Sequence, residues 1–171
     1  AYDALTAEEK NLVGFNNLAT LAAAEGYYKS VKDSALAEAV MDKIDAIAPL
    51  EITDACKALI DDARLAYNGL TEDQQALVEN YEDLTKAETD YAAAKPVVDL
   101  INAISDLEAG DACDAKISEA RTAYELLTGD QKAIVNNYKE LTDKEAAKPV
   151  VDKIALITAV SPTAECQALI D

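Results

Sequence analysis

The cysteines are the first candidates for chemistry in this chain, because a thiol can form a disulfide, bind a metal ion or act as a nucleophile. Cys56, Cys113 and Cys166 occur once in each of three similar segments. Equivalent positions in stacked units lie about one unit apart, well beyond the ~7 Å between Cα atoms that a disulfide bond permits. The chain contains no histidine, so a reactive or metal-bound thiolate lacks its usual imidazole partner. We therefore interpret the cysteines as buried free thiols that pack as small hydrophobic side chains.

The carboxylates are the second candidates, because the chain carries 33 Asp and Glu against 15 Lys and Arg, a net charge of −18. Pairs at three- or four-residue spacing arise by chance on acidic helices, and none can be assigned to acid–base catalysis without a desolvated pocket. The acidic segment Asp106–Asp111 lacks the spacing of a calcium-binding loop. No glycine-rich phosphate loop is present either. We predict that the chain is not an enzyme and has no cofactor and no metal site.

The charge and hydropathy patterns also exclude classes of partner. A strongly acidic surface repels phosphate backbones and anionic lipid, which argues against nucleic acid as a partner. No apolar run approaches the ~20 residues that a membrane-spanning helix needs, so we predict no membrane insertion.

The elements that must position these side chains are repeated along the sequence. The pattern Ala-Tyr-x-x-Leu-Thr occurs at residues 1–6, 66–71 and 123–128, which is typical of a tandem array. Each threonine is followed three residues later by Glu or Gln, the capping-box pattern of a helix start. We predict that the third helix of a unit follows each box. The three boxes are Thr6/Glu9, Thr71/Gln74 and Thr128/Gln131.

Apolar side chains recur at helical spacing in the same copies. The first stripe is Val40, Met41, Ile44 and Ile47, with copies at 97, 98, 101, 104 and at 150, 151, 154, 157. The second is Cys56, Ile60, Ala63, Tyr67 and Leu70, with a copy at 113, 117, 120, 124, 127. The third is Leu77, Val78, Tyr81 and Leu84, with a copy at 134, 135, 138, 141.

These stripes predict an all-α fold of tandem three-helix-bundle repeats that form an elongated, spectrin-like rod. The predicted repeats are residues 1–69, with inserted turns near 27–39, then 70–127 and a truncated 128–171. Pro96 and Pro149 each mark either a helix start or a kink in a continuous helix. The chain begins and ends within a repeat, so we expect it to be a piece of a longer array.

The tyrosines allow two interpretations. Tyr67 and Tyr124 belong to a core stripe and each follows an arginine by one helical turn, so we expect the arginine stem to cover the ring with its guanidinium at the surface. Tyr27, Tyr28 and Tyr91 follow the repeat less well and lie near the joints between units. They either pack between units or form a contact patch for a partner, because tyrosine offers a large amphipathic area.

The segment Ala63–Tyr81 resembles a helical repeat of large extracellular proteins of Gram-positive bacteria. So do residues 120–138 and, truncated, residues 1–13. In that family an Ile-x-x-Ile helix precedes the pattern, as it does here at Ile44/Ile47, Ile101/Ile104 and Ile154/Ile157. Such repeats resemble spacers beside sugar-processing enzymes, immunoglobulin-like domains and cell-wall anchoring regions.

The resemblance implies a non-catalytic structural spacer or stalk in a secreted or cell-wall-attached protein, with flanking domains of the same polypeptide as its partners. The alternative is a helical adhesion module that binds a host protein or glycan, in the manner of small three-helix immunoglobulin-binding domains. A third interpretation, a cytoplasmic scaffold, agrees with free thiols but not with the resemblance.

Overall fold

The computed structural model describes residues 2–104 and 106–158, except for the side chains of Phe15 and Thr158. In this part of the chain all regular structure is helical, which confirms the predicted all-α class. Cys166 lies outside the described residues. The helices are a 3₁₀ turn at Tyr2–Ala4 and then α1 (Ala7–Asn11), α2 (Phe15–Asp45), α3 (Asp54–Asn68), α4 (Glu72–Gln75), α5 (Tyr81–Asn102), α6 (Asp111–Glu125), α7 (Gly129–Ala133) and α8 (Tyr138–Thr158).

All three capping boxes form with both of their hydrogen bonds. The helices that they start are short, however: α1, α4 and α7 have four or five residues each. The prediction that the third helix follows directly was wrong, because the chain turns after one helical turn and buries Val78 or Val135 in the core. The long helices begin only afterwards, at Tyr81 and Tyr138.

The long helices form two contacting groups that share one member. Helices α2, α3 and α5 contact one another, and so do α5, α6 and α8; we name these groups the first bundle and the second bundle. The short helix α4 packs on α2, and α7 packs on α5 in the same way. Pro96 lies inside α5 and Pro149 inside α8. Both prolines therefore lie within continuous helices, and neither marks a helix start.

The predicted apolar stripes form the core of both bundles. Side chains from all three stripes are buried, and Leu84, Ile101 and Leu141 are fully enclosed. The third copy of the first stripe differs, since Val150 and Ile154 are 56% and 55% exposed. Helix α6 packs on the half of α5 that carries the equivalent positions, whereas no helix among the described residues covers this half of α8.

Helix α2 has an uncovered half as well. It is 31 residues long, and its buried side chains begin only at Asp33. Between Asn16 and Lys32 every side chain is exposed except that of Leu18, which is half-buried. Within the described residues, no helix has the length and apolar character to cross a bilayer.

Candidate functional site

The most elaborate polar cluster of the first bundle is built around Arg64 of α3. Its Nε and Nη2 donate to the two carboxylate oxygens of Glu88 at 2.6 Å each, and its Nη1 donates to the Tyr81 hydroxyl at 3.2 Å. The ring of Tyr81 stacks on that of Tyr67, with centroids 4.2 Å apart. The guanidinium carbon lies 5.2 Å from the centroid of the Tyr81 ring, within cation–π distance.

The second bundle repeats this cluster with the same residue types. Arg121 forms the two-pronged pair with Glu145 and donates to the Tyr138 hydroxyl at 3.0 Å. Tyr124 stacks on Tyr138 at 4.1 Å. Each glutamate follows its arginine by 24 residues, and this repeated separation is the sequence signal that could have revealed the pair.

The arginines correct one expectation from the sequence. We expected the guanidinium at the surface, whereas it is half-buried against two rings and held by a carboxylate. The hydrogen bonds from Arg64 to Glu88 raise the pKa of the guanidinium, and Glu145 does the same for Arg121. Each arginine stays charged and is paired within the chain, so the cluster fixes the packing of two helices.

A second repeated cluster joins the long helices to the short ones. In the first bundle Asp33 accepts hydrogen bonds from Lys29 at 2.8 Å and from Gln74 Nε2 at 2.7 Å. Both bonds, that from Gln74 first, lower the pKa of Asp33. The Gln74 side chain also completes the capping box of α4. The copy in the second bundle consists of Asp90, Lys86 and Gln131, with Asp130 as a further partner of Lys86.

A third repeated contact places an asparagine side chain against the backbone of the preceding long helix. Asn80 Nδ2 donates to the Met41 carbonyl at 3.1 Å, and Asn137 Nδ2 donates to the Val98 carbonyl at 3.0 Å. Sequence reasoning identified neither asparagine. Both directly precede a stripe tyrosine, which is the pattern that could have marked them.

The cysteines that the structure describes agree with the sequence interpretation. Cys56 and Cys113 are buried and free. Among the described residues, no group of three or more His, Cys, Asp or Glu side chains is arranged to hold a metal ion. A cleft of about 520 Å³ lies between α2 and α5, and two of its four charged lining residues, Lys86 and Asp90, already pair with each other at 2.5 Å.

The three tyrosines of the predicted contact patch do not lie on one surface. Tyr27 and Tyr28 are 75% and 72% exposed on the uncovered half of α2. Tyr91 is only 5% exposed, and its hydroxyl donates to the Thr53 carbonyl at 3.1 Å. It is a core residue of the first bundle, because the start of α3 offers its hydroxyl an acceptor. A surface patch can include only the first two residues.

No family model, curated protein or solved structure significantly matches this chain. Its functional interpretation therefore depends on the repeated contacts and on the exposed half of α2.

Proposed function

We propose that this chain is part of a non-catalytic structural spacer, in which tandem three-helix bundles join through shared helices into an elongated, spectrin-like rod. The observation that supports this most is α5, a continuous helix of 22 residues that belongs to both bundles. At 1.5 Å per residue it is about 33 Å long. A shared helix fixes the orientation of one bundle relative to the next, whereas a flexible linker does not.

The contacts along α5 support a rigid joint. Glu88 and Tyr91 bond to the first bundle, through Arg64 and through the start of α3. Asp90, which lies between these two positions, accepts a hydrogen bond from Gln131 of α7. The contacts of the two bundles therefore interleave along one stretch of helix. Bending at this point has to break contacts of both.

The setting of the spacer is proposed from the sequence. The resemblance to repeats of Gram-positive surface proteins supports a secreted or cell-wall-attached location, with flanking domains of the same polypeptide as partners. The charge of −18 also favours extension, because acidic units repel one another at low salt. In the described part of the chain both arginines of the repeated clusters pair with a glutamate of the same chain, which agrees with a role in architecture.

Small-angle X-ray scattering tests the spacer. A compact globule of this length has a radius of gyration of about 16 Å, and we expect a clearly larger value and an extended distance distribution. A value near that of the globule contradicts the proposal. Measurements at low and high salt form the control: a rod held by α5 keeps its dimensions in salt, whereas one extended only by charge repulsion shrinks.

The second candidate function is an adhesion module for a host protein or glycan. The observation that favours it is the exposure of Tyr27 and Tyr28 on the uncovered half of α2. The test is a binding screen of the folded chain against serum proteins, mucins and polysaccharides. A saturable interaction should be lost on Tyr27→Ala/Tyr28→Ala and kept on Leu65→Ala, an equally exposed apolar residue of α3. No binding, or equal loss in both variants, argues against adhesion.

A further inference from the structure

Both bundles contain a cleft beside the end of one long helix and the start of the next. In the first bundle this is the cleft of about 520 Å³ between the end of α2 and the start of α5. In the second bundle a cleft of about 290 Å³ lies between the loop after α5 and the start of α8. Every residue that lines the smaller cleft has its equivalent, 57 residues earlier, in the lining of the larger one. The two clefts are therefore copies of one site.

The second bundle occupies its copy of the site with a lysine of its own. Lys144 Nζ lies 3.5 Å from the Ile101 carbonyl oxygen and 4.0 Å from Glu140 Oε2, distances at which the attraction is mainly electrostatic. Ile101 belongs to the last turn of α5, where the helix dipole favours a cation. The Lys144 side chain is only 19% exposed. The site therefore accommodates an ammonium group on an aliphatic stem.

The first bundle keeps the acceptors of this site but has no lysine to fill it. The position equivalent to Lys144 is Ala87, whose side chain ends at Cβ. The carbonyl equivalent to that of Ile101 belongs to Ile44, in the last turn of α2. A carboxylate is kept as well, because Asp83 stands in place of the glutamate. The larger volume of the first cleft agrees with the loss of the lysine side chain.

The charges that line the first cleft leave a cation wanting. Its charged residues are three aspartates and one lysine. Lys86 pairs with Asp90 at 2.5 Å, so this pair is neutral. Asp45 accepts a hydrogen bond from the uncharged Asn80 amide at 2.8 Å, and Asp83 forms no ion pair within the described residues. Two carboxylates thus remain without a cation beside an apolar floor.

The opening of this cleft does not depend on where the sequence begins or ends. Its lining consists of residues 44–50 and 83–90, all of them internal. The helices α6, α7 and α8 follow the first bundle and leave the cleft open. The first bundle precedes the second, and no residue of α2, α3 or α4 lines the second cleft. A neighbouring repeat on either side therefore leaves the site accessible, in agreement with an array of shared helices.

We propose that the cleft beside Ala87 is a docking site for a lysine side chain of a basic partner protein. The incoming ammonium group takes the place that Lys144 fills in the second bundle, close to the Ile44 carbonyl and Asp83. Its stem lies against Ile47 and Leu50, which also line the cleft. The chain charge of −18 attracts a basic partner and repels a second copy of this chain. The site adds recognition to the proposed spacer.

The small size of the cleft limits its affinity. One lysine side chain should bind with a dissociation constant on the order of 1 mM, because a few contacts must offset the cost of immobilising it. A partner that presents several lysines to several open repeats of one array binds more tightly, because the effective concentration rises after the first contact. The residue at the position of Ala87 decides which repeats are open: a small residue leaves the cleft free, and a lysine closes it.

An NMR titration of the whole chain tests the proposal. The probe is the peptide Gly-Gly-Lys-Gly-Gly with both ends blocked, and its control carries an acetyl group on the lysine Nζ, which keeps the stem and removes the charge. We expect saturable shifts of the amide signals of Ile44, Leu50 and Ala87 with the first peptide only. The absence of saturable shifts, or equal shifts with both peptides, overturns the proposal.

A second probe separates the two sources of an alkylammonium group. Pentylamine presents the ammonium and the stem without a peptide backbone. We expect it to shift the same signals as the lysine peptide. If pentylamine alone shifts them, the cleft takes a small free amine and the docking of a protein lysine is overturned.

Two exchanges between the bundles form matched controls. Ala87→Lys should fill the first cleft and abolish binding of the peptide. Lys144→Ala should open the second cleft, so that the signals of Ile101 and Leu107 also shift. Unchanged binding in the first variant, or no new shifts in the second, overturns the proposal. Asp83→Asn should weaken binding about threefold, the upper range for an exposed ion pair, and unchanged circular dichroism spectra show that each variant is folded.

The outcomes for the spacer and for the docking site can be separated. Scattering without peptide reports the shape of the chain, whereas the titration reports the cleft. An extended chain that binds no lysine peptide supports the spacer and overturns the docking site. A compact chain whose cleft binds the peptide does the reverse.

Discussion

The two bundles stabilise the start of their second helix by different means. Thr53 in the first bundle caps α3 by accepting a hydrogen bond from the Cys56 amide, and its carbonyl accepts one from buried Tyr91. The equivalent position in the second bundle is Gly110, which offers no side-chain cap. The position equivalent to Tyr91 is Lys148, which is only 4% exposed.

An ionic cluster replaces the aromatic ring in the second bundle. Lys148 donates to Asp114 at 2.8 Å and to both oxygens of Asp152 at 2.7 and 2.8 Å. Asp152 also accepts from the Gly110 amide at 3.3 Å. The position equivalent to Asp114 in the first bundle is Lys57. The change from tyrosine to lysine at position 148 is therefore accompanied by a change from lysine to aspartate at position 114, which supplies the opposite charge. The same backbone arrangement thus accommodates either a neutral, hydrogen-bonded ring or a charged cluster, and we expect the stability of the charged cluster to depend more strongly on acid pH and on salt.

The largest effect is expected at Tyr91. The variant Tyr91→Ala leaves a cavity in the first bundle and should lower the free energy of unfolding by about 3–5 kcal/mol. Tyr91→Phe loses only the hydrogen bond to Thr53 and should cost about 0.5–1.5 kcal/mol. Urea unfolding followed by circular dichroism measures both. Equal losses in the two variants would show that the ring does not pack as described, and Tyr27→Ala serves as the exposed control.

Both bundles contain the arginine cluster, so equivalent substitutions in the two copies should lower the free energy of unfolding by similar amounts. Replacing Arg64 or Arg121 by lysine keeps the charge but removes the two-pronged geometry. We expect each variant to lose about 1.5–3 kcal/mol of unfolding free energy, the range for hydrogen bonds to charged groups. The two losses should agree within about 0.5 kcal/mol, since both arginines bond to a glutamate and a tyrosine, and the additional contact of Arg121 with exposed Glu125 is long, at 3.4 Å. A large difference in urea unfolding would contradict the equivalence of the clusters.

Smaller effects are expected at the two helix starts. Thr53→Ala removes the cap and should cost about 1 kcal/mol. Gly110 has φ +110°, which L side chains rarely adopt, and nothing lies within 4 Å of an added Cβ. Gly110→Ala should therefore cost about 1–3 kcal/mol through backbone strain alone. Gly26→Ala is the control: it lies within α2 with open space around it and should stabilise the chain by about 0.5–1 kcal/mol.

The smallest effect concerns the acid response of Asp152. The hydrogen bonds from Lys148, and then the one from the Gly110 amide, lower its pKa below the ordinary 3.8. The group therefore stabilises the fold above pH 3.8, and this contribution disappears as the pH falls through the lowered value.

Carboxyl titration by NMR measures this pKa directly. We expect Lys148→Met to raise the pKa of Asp152 towards 3.8 and Tyr91→Phe to leave it unchanged. An unchanged pKa in the Lys148 variant would contradict the ionic cluster.

Much of the fold could be predicted because three copies of one pattern mark the same helix faces. The capping boxes are local and depend on two side chains each, so they too were predictable. The length of the helix after each box was not, because burial of Val78 and Val135 ends it. The Arg64–Glu88 pair joins residues 24 positions apart, a separation that depends on how α3 packs against α5.

The sequence left the burial of Tyr91 open, between packing and a contact patch, for a different reason. Its equivalent, Lys148, is chemically unlike it, and such variation between copies is typical of an exposed position. Both are buried, because a lysine can bury its stem while its ammonium group meets two carboxylates.

The sharing of α5 has a mechanical consequence. If a pulling force separates the first bundle, α5 loses one set of neighbours while it still forms a wall of the second bundle. The second bundle then resists tension with a partly unsupported helix, so its barrier to rupture falls. Stretching two such bundles end to end should therefore produce correlated steps of extension rather than independent ones, and a flexible insertion within α5 should uncouple them.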